Sequence, residues 1–572
     1  MTATAGATPL WSDALRTRYV QEGWLPLARE NGVMVVGSSV VSSPRHSARI
    51  EAAVGERIVV RPMSQRDIVD AVIGGFSEEF ADNAANGLYA TDPVLSARHV
   101  LSRAQQVSGV VLLAAAIVLV ILWPTASIVT FIALASAIFL ASTLFKFVVA
   151  LHGSRFDLVQ RVDPADIAAL RDADLPIYTV LVPVFREARI VGRLVENLGR
   201  LDYPAEKLEI IILVEEEDDE TRDAIAVSDP PDNFIVVTVP KGTPQTKPRA
   251  CNVGLEVARG EYLVIYDAED APEADQLKKT VIAFARSSPE TVVMQASLNY
   301  FNAHENVLTR LFALEYSYWF DYMLAGLDVR DLPIPLGGTS NHFRTSALRE
   351  LGGWDPYNVT EDADLGIRAS ALGYRVGVVD STTMEEATSR MGVFIGQRSR
   401  WIKGYMQTAL VHARRPGHLI ARIGLRRFGA FTLLIAGTPL TFLGVIPFTG
   451  LLLVSFFVPW VDFSAAFPPI VLWLCLLNFL LGNGLMVYLN MMGPYKRGAF
   501  WLVGWALLNP VYWLLHSAAS YKALWQLITK PHYWQKTEHG MSQYSLDDAD
   551  GALGGVEEQD AAREAASQIT RS

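Results

Sequence analysis

Apolar and polar positions divide the chain into stretches of different period. Residues 107–123 are apolar and uncharged, Pro124 interrupts them, and 125–151 are apolar again except for Lys146. Each piece is about long enough to cross a ~30 Å hydrocarbon layer, so the pattern predicts a helical hairpin. Arg98 and Arg103 precede it, and Lys146, Arg155 and Arg161 lie at its far end. Basic residues at both ends, with none at Pro124, put both ends on the cytoplasmic side. A second apolar block follows Arg422, Arg426 and Arg427. Residues 428–458 and 470–492 predict two more crossings joined by an external segment at 461–469, and Lys496 and Arg497 mark the return. Residues 500–519 are apolar but broken at Asn509-Pro510. Four crossings are expected, and six if that stretch and the break at Gly437-Thr-Pro439 form an extra pair.

Between the two blocks the period shortens. Apolar runs at 178–184, 209–214, 234–239, 262–266 and 292–295 alternate with helical patterns at 189–201, 221–227 and 248–259. Alternation of that kind implies an α/β fold with a largely parallel sheet, whose ligands bind at the carboxyl ends of strands. Ahead of the first block, residues 24–36 read as a helix end, a glycine turn and a short strand. Residues 58–60 read as a strand, and Ser64 as the cap of a helix through Ile68, Val72 and Ile73. The expected organisation is a small cytosolic α+β domain (1–103), a membrane hairpin (104–152) and an α/β domain (176–405). An interfacial helix (406–427), membrane helices (428–519) and a basic, aromatic interfacial segment (520–572) that becomes an acidic, disordered tail from Asp547 complete it.

Composition narrows this picture. The chain of 572 residues is 51% hydrophobic and only 19% charged, as expected of membrane segments beside soluble regions. A net charge of −11, with no basic stripe, argues against a nucleic-acid partner. Two cysteines, Cys251 and Cys475, make no disulfide framework, and the first residues lack the basic-then-apolar pattern of a signal peptide.

Candidate chemistry gathers where the strands end. Polar residues follow three of them: Pro183-Val-Phe-Arg-Glu187, Glu215-Glu-Glu-Asp-Asp219 and Asp267-Ala-Glu-Asp270. Asp267 and Glu269 are alternate residues leaving a strand, so they point to one side and offer hard oxygens to Mg2+ or Mn2+. Lys247 and Arg249 enter a helix start, which suits a diphosphate. In Asn358-Val-Thr-Glu-Asp-Ala-Asp-Leu-Gly366, Thr360 is placed to cap a helix ending at Gly373, with Glu361 and Asp362 in its first turn. Carboxylates there either serve as a mounted general base or complement the helix dipole. Gln397-Arg-Ser-Arg-Trp401 offers a guanidinium fork for phosphate at Arg400 and a flat face for a sugar at Trp401, and it reads equally as part of an interfacial helix.

The set Val182-Pro-Val-Phe-Arg-Glu187, Lys247-Pro-Arg-Ala-Cys-Asn252, Tyr266-Asp-Ala-Glu-Asp270, Gly337-Gly-Thr-Ser-Asn341, Thr360-Glu-Asp362 and Gln397-Arg-Ser-Arg-Trp401 resembles family 2 inverting glycosyltransferases. It is most similar to their membrane-embedded, polymerising branch of cellulose, curdlan and hyaluronan synthases. The resemblance covers residues 176–405 and, more loosely, the flanking helices. It implies a GT-A-like, Rossmann-like catalytic domain facing the cytoplasm of a bacterial inner membrane. The nucleotide would be held by Pro183, Phe185, Glu187, Glu215, Glu216, Lys247, Arg249 and Asp267, and Mg2+ or Mn2+ by Asp267 and Glu269. Asp362, beside Glu361, would be the base; Gln397, Arg398, Arg400, Trp401, Gly338, Thr339 and Ser340 would line the diphosphate and acceptor. Implied partners are a UDP-sugar, UDP-glucose first, a growing β-linked glycan, membrane lipids, and export proteins of the periplasm and outer membrane. A non-processive enzyme with a lipid-linked acceptor is the alternative. Two departures stand out: Asp-Ala-Glu replaces the usual Asp-x-Asp, and no Phe-x-Val-Thr-x-Lys loop follows Trp401. The first hundred residues are similar to the small N-terminal domain of type II secretion ATPases, without the Arg-Leu-Gly motif through which some of those domains bind cyclic-di-GMP.

Overall fold

The computed structural model describes residues 10–40, 43–155, 162–458, 467–534 and 542. Residues 461–466 of the external segment expected at 461–469, Arg161 and the acidic tail from Asp547 lie outside the described residues. Eleven strands are described: β1 (Trp24–Glu30), β2 (Val33–Ser38), β3 (Ile58–Pro62), β4 (Tyr178–Val184), β5 (Leu208–Glu215), β6 (Phe234–Val239), β7 (Tyr262–Ile265), β8 (Ala271–Pro272), β9 (Thr291–Tyr300), β10 (Asn341–Arg344) and β11 (Arg375–Glu385). The chain divides into two compact units, Met1–Thr91, Ala169–Ala268 and His342–Pro356 in one, and Asp92–Ala168, Glu269–Asn341 and Tyr357–Ser572 in the other.

In the first unit β1-β2-β3 form a small sheet, β1 antiparallel and β3 parallel to β2. Residues 24–30 are therefore a strand, not a helix end. Asn31 (φ 51°) and Gly32 (φ 76°) are both left-handed and close a two-residue hairpin that pairs Glu30 with Val33. An Asn-Gly turn has the twist such a hairpin needs. Ser64 caps the helix Gln65–Gly75 as expected, accepting the Asp67 N–H. The larger sheet of this unit runs β6-β5-β4-β7-β10, with β4, β5, β6 and β7 parallel and in register from Tyr178↔Leu208 and Tyr178↔Tyr262. Every β5 residue is buried, which is why it reads as a continuous apolar run rather than an alternating one.

In the second unit β9 and β11 pair in parallel and β8 joins β11 antiparallel. The catalytic region thus has the mixed sheet and flanking helices of a GT-A-like α/β fold. Among the described residues of this unit, four helical stretches are long and apolar enough to cross a membrane: Arg103–Leu122, Pro124–Ser154, Pro416–Ser455 and Pro469–Arg497. Ser102 and Gln105 form a capping box at the start of the first. The interfacial helix expected at 406–427 is two pieces: Met391–His412 runs through the Gln-x-x-Arg-Trp residues, and Pro416–Phe431 follows with a kink at Gly424. The break at Asn509-Pro510 separates a 3-10 stretch, Phe500–Leu508, from the α-helix Asn509–Thr529.

Glycines seat the second apolar helix, which begins at Pro124, on the catalytic region. A Cβ on Gly153 would lie 2.0 Å from the Tyr322 carbonyl, and one on Gly326 would lie 2.0 Å from that of Val149. The backbones touch there, and only glycine permits it. Lys496 donates to the carbonyls of Gly153 (3.0 Å) and Asp321 (2.9 Å), and Arg497 grips the Asp321 carboxylate at 2.6 and 2.7 Å.

Candidate active site

The first unit carries the residues expected to hold a nucleotide. After β4 the chain turns through Arg186, left-handed at φ 55°. Its amide donates to Asp218, the Glu187 amide donates to Thr221 (3.0 Å), and Asp218 also caps the helix Asp219–Val227. The turn bearing Pro183, Phe185 and Glu187 is thereby pinned to a helix start, with the Arg186 guanidinium over the Phe185 ring at 4.9 Å. Arg249 is fully buried; it donates to Glu215 at 2.5 Å and to the Pro240 carbonyl at 2.6 Å. Glu215 and Arg249 thus form a buried pair beneath the strand ends. Glu216 is exposed and accepts the Lys241 amide at 3.0 Å. Lys247 is ion-paired with Asp267. Asn252 was expected only as part of a motif, yet it binds the backbone of Trp354 and the carbonyl of Ala84, tying the N-terminal helix Ser77–Thr91 to the helix Lys247–Val257.

The second unit carries the expected base and acceptor residues. The turn Gly337-Gly-Thr-Ser-Asn341 is fastened to β9, where Gln295 accepts the Gly337 amide (2.8 Å) and donates to the Thr339 carbonyl (3.0 Å). The Thr339 hydroxyl bonds the buried Asp270, and Ser340, left-handed at φ 55°, bonds Thr383 at 2.7 Å. Gly338 faces the expected base: a Cβ there would stand 3.4 Å from Asp362 Oδ2. The helix Glu361–Ala371 starts as expected, with Glu361 buried and Asp362 half-buried. Thr360 occupies the N-cap position but makes no side-chain cap bond. Its side chain instead packs on Gly404 of the helix Met391–His412.

That helix holds the base segment at successive turns. Asn358 donates to Thr408 (3.0 Å), the Val359 amide donates to Gln407 (3.0 Å), and His412 bonds Asp364 (3.0 Å). Gly404, Gln407, Thr408 and His412 were not foreseen; their spacing along one helix was the available signal. Of the acceptor residues on the same helix, Arg398 is buried in a bidentate pair with Glu315 (2.8 and 2.6 Å) and lies over Phe312 and Trp401 at 4.2 and 4.5 Å. Burial alone would raise the Glu315 carboxyl, but Arg398, His516 and Tyr512 outweigh it and hold it low. Arg398, expected among the residues lining the diphosphate and acceptor, is therefore engaged in a buried ion pair. Gln397, Arg400 and Trp401 are half-buried, and Arg400 stacks on Trp534 at 4.4 Å. Burial, with Arg400 and Lys522 adding to it, pushes Lys403 down to about 8, and its ammonium donates to the Tyr533 carbonyl at 2.8 Å.

Among the described residues no group of three or more His, Cys, Asp or Glu side chains is gathered to hold a metal ion. Two carboxylates such as the expected ligands Asp267 and Glu269 would suit an ion shared with a bound diphosphate, not an all-protein cage.

Residues 176–404 match the family described as glycosyltransferase like family 2, and this stretch is a domain of that family. A probable glycosyltransferase of Bacillus subtilis, YdaM, is 29% identical over 241 residues, 41% of this chain and 57% of that protein. Glucomannan 4-beta-mannosyltransferase 2 of Arabidopsis thaliana is 27% identical over 247 residues, 42% of this chain and 46% of that protein. The chain thus spans about half the length of the curated relatives it matches. Among solved structures, a mannosyltransferase of Pyrobaculum calidifontis in complex with GDP-Man and Mn2+ aligns with a TM-score of 0.43 at 19% identity, over 69% of this chain and 98% of that one.

Proposed function

We propose that the protein is an inverting hexosyltransferase that extends a β-linked glycan from a nucleoside diphosphate sugar at a membrane. The observation that carries this reading is the mounting of Asp362. Its helix start is clamped to the helix of the Gln-x-x-Arg-Trp residues, and Gly338 faces its carboxylate with no side chain between them. A base so held takes the proton of an acceptor hydroxyl while that oxygen attacks the anomeric carbon and the bond to the diphosphate breaks. Lys247 and Arg400 supply positive charge for the leaving diphosphate, and Trp401 a flat face for the acceptor sugar. Asp267 and Glu269 would hold Mg2+ or Mn2+ against the diphosphate, and the ion would offset its charge. UDP-glucose is the first donor to test. The names of the mannosyltransferase relatives make a nucleotide-activated mannose its chief rival. Four apolar helical stretches flanking the catalytic region support processive synthesis with passage of the product across a bacterial inner membrane.

The test is Asp362→Asn in the full-length protein, with nucleotide release scored over a panel of donors. Nucleotide binding should persist and transfer should fall by at least ~10²-fold, the ordinary weight of general base catalysis. Near-normal turnover by folded Asp362→Asn protein would end this reading.

A further inference from the structure

Asp364 lies two residues beyond the base in the same helix, about 200° around its axis. Asp362 is half-buried, whereas Asp364 is completely buried. The two carboxylates therefore leave opposite sides of the first turn. A buried carboxylate is stable only with partners, and removing one leaves an uncompensated charge. Asp364 has His412 Nε2 at 3.0 Å from one oxygen and the Arg368 guanidinium at 3.4 Å from the other. Arg368 belongs to the same helix and moves with it. His412 belongs to the last turn of the helix Met391–His412, and its ring is itself fixed, nearly buried and with Phe431 at 6.0 Å in an edge contact. The contacts from Thr408, Gln407 and Gly404 hold residues 358–360, ahead of the base helix. The His412 bond holds the helix itself.

We infer that His412 is a positioning residue for the reaction: its Nε2–H bond to Asp364 sets the roll of the helix, and so the direction in which Asp362 presents its carboxylate. This rests on the reading of Asp362 as the base. The bond needs an N–H at the reach of Nε2, which the neutral ring and the imidazolium both provide, so a neutral amide of the same reach replaces it. His412→Gln places an amide nitrogen about where Nε2 stands. His412→Asn carries the same amide one methylene short of Asp364.

The experiment compares these two variants with wild type as full-length protein in nanodiscs. It reads kcat by nucleotide release with saturating donor, affinity for UDP alone, and Tm. His412→Asn should lose kcat by about ten- to a hundredfold, the scale set by a misplacement of about 1 Å. Its UDP affinity should stay within about twofold of wild type, because a turned base is felt in the transfer step and not in the binding of the nucleotide alone. His412→Gln should recover most of kcat. A purely structural histidine would give lower Tm in both variants with kcat of the folded protein unchanged, and that result overturns the inference. Equal loss of kcat in both variants overturns it as well. Asp362→Asn is measured alongside. Activity in that variant sinks the base assignment, whereas an inactive Asp362→Asn beside a fully active His412→Asn sinks only the role given to His412.

Discussion

Gly404 sits in the middle of a 22-residue helix, where alanine would ordinarily be better by ~1 kcal/mol. Gly404→Ala is nevertheless expected to destabilise and to slow the enzyme. The added Cβ would lie 2.1 Å from Thr360 Oγ1, 2.5 Å from its Cγ2 and 2.6 Å from its Cβ. Turning the Thr360 side chain relieves the first two contacts but not the third, so the backbone at 360 must retreat by about 1 Å to reach ordinary van der Waals spacing. That backbone is held: the Thr360 amide donates to Asn358 Oδ1 at 3.1 Å, and its carbonyl accepts the Asp364 amide at 3.1 Å. Overpacking of this kind costs about 1–3 kcal/mol, so a net loss of up to ~2 kcal/mol remains after the gain in helix propensity. The larger effect falls on rate. Thr360 is two residues before Asp362, and a shift of about 1 Å at the base is worth up to ~10²-fold. The assay is kcat by nucleotide release, with thermal melting of the same preparation. Thr360→Gly in the Gly404→Ala background removes all three contacts and should return part of the activity, giving a coupling energy of more than ~1 kcal/mol. A Gly404→Ala enzyme that melts and turns over like wild type would refute the packing on which this rests.

Three further outcomes are expected. EDTA should abolish activity, with Mg2+ or Mn2+ restoring it, and Asp267→Ala should weaken UDP binding as well as rate because ion and phosphate are shared; metal-independent turnover would give Asp267 and Glu269 another task. Trp401→Ala should shorten the product made per UDP released, since loss of an aromatic face costs ~1–2 kcal/mol, roughly tenfold, at every acceptor step; unchanged length with a lower Tm would leave Trp401 as packing for Phe312 and Tyr316. Burial pushes the Asp328 carboxyl up to about 6 against the Val378 amide and Arg375, which pull it down. The folded state thus holds that proton where the unfolded chain has released it, so stability falls as pH rises from about 4 to 6 and is flat above. Asp328→Asn should therefore raise stability at pH 7.5 by on the order of 3 kcal/mol at most, and Tm with it, and remove that slope; a Tm that drops instead would show that the carboxylate itself is needed.

Strand positions were legible where burial is uniform. The runs 178–184 and 234–239 coincide with β4 and β6 end to end, because each is bounded by turn residues and packed by apolar side chains on both faces. β11 was not foreseen. Its second half carries Asp380-Ser-Thr-Thr383, which reads as loop, yet Ser381 and Thr383 are buried and receive the Gln276 amide at 3.0 and 3.1 Å. Hydroxyls satisfied by a distant side chain look solvated in a sequence. At Asn31-Gly32 the sequence shows its glycine turn, but the residues before it, which read as a helix end, are the strand β1. At the candidate site, the residues expected to carry the chemistry were legible as motifs, because carboxylates, cations and a tryptophan at fixed offsets are informative in themselves. The residues that hold them were not. Gly404, Thr408 and His412 act on partners 44–50 positions away, and Arg398 reads as a surface cation until Glu315 is seen across from it.

The glycine contacts at 153 and 326 bear on how this protein can be divided. Removing the first apolar hairpin, to leave a fragment from about residue 162 onward, would take away Gly153 and Val149, and with them the surface on which Tyr322 and Gly326 close. Gly326 would then be a bare glycine within a helix, carrying its full entropic cost of about 0.5–1 kcal/mol with no close approach to justify it. The Lys496 ammonium would lose the Gly153 carbonyl at the same time. Inactivity of such a fragment would measure the loss of this seat, not the chemistry of Asp362. The smallest piece whose failure is informative therefore begins ahead of Arg103.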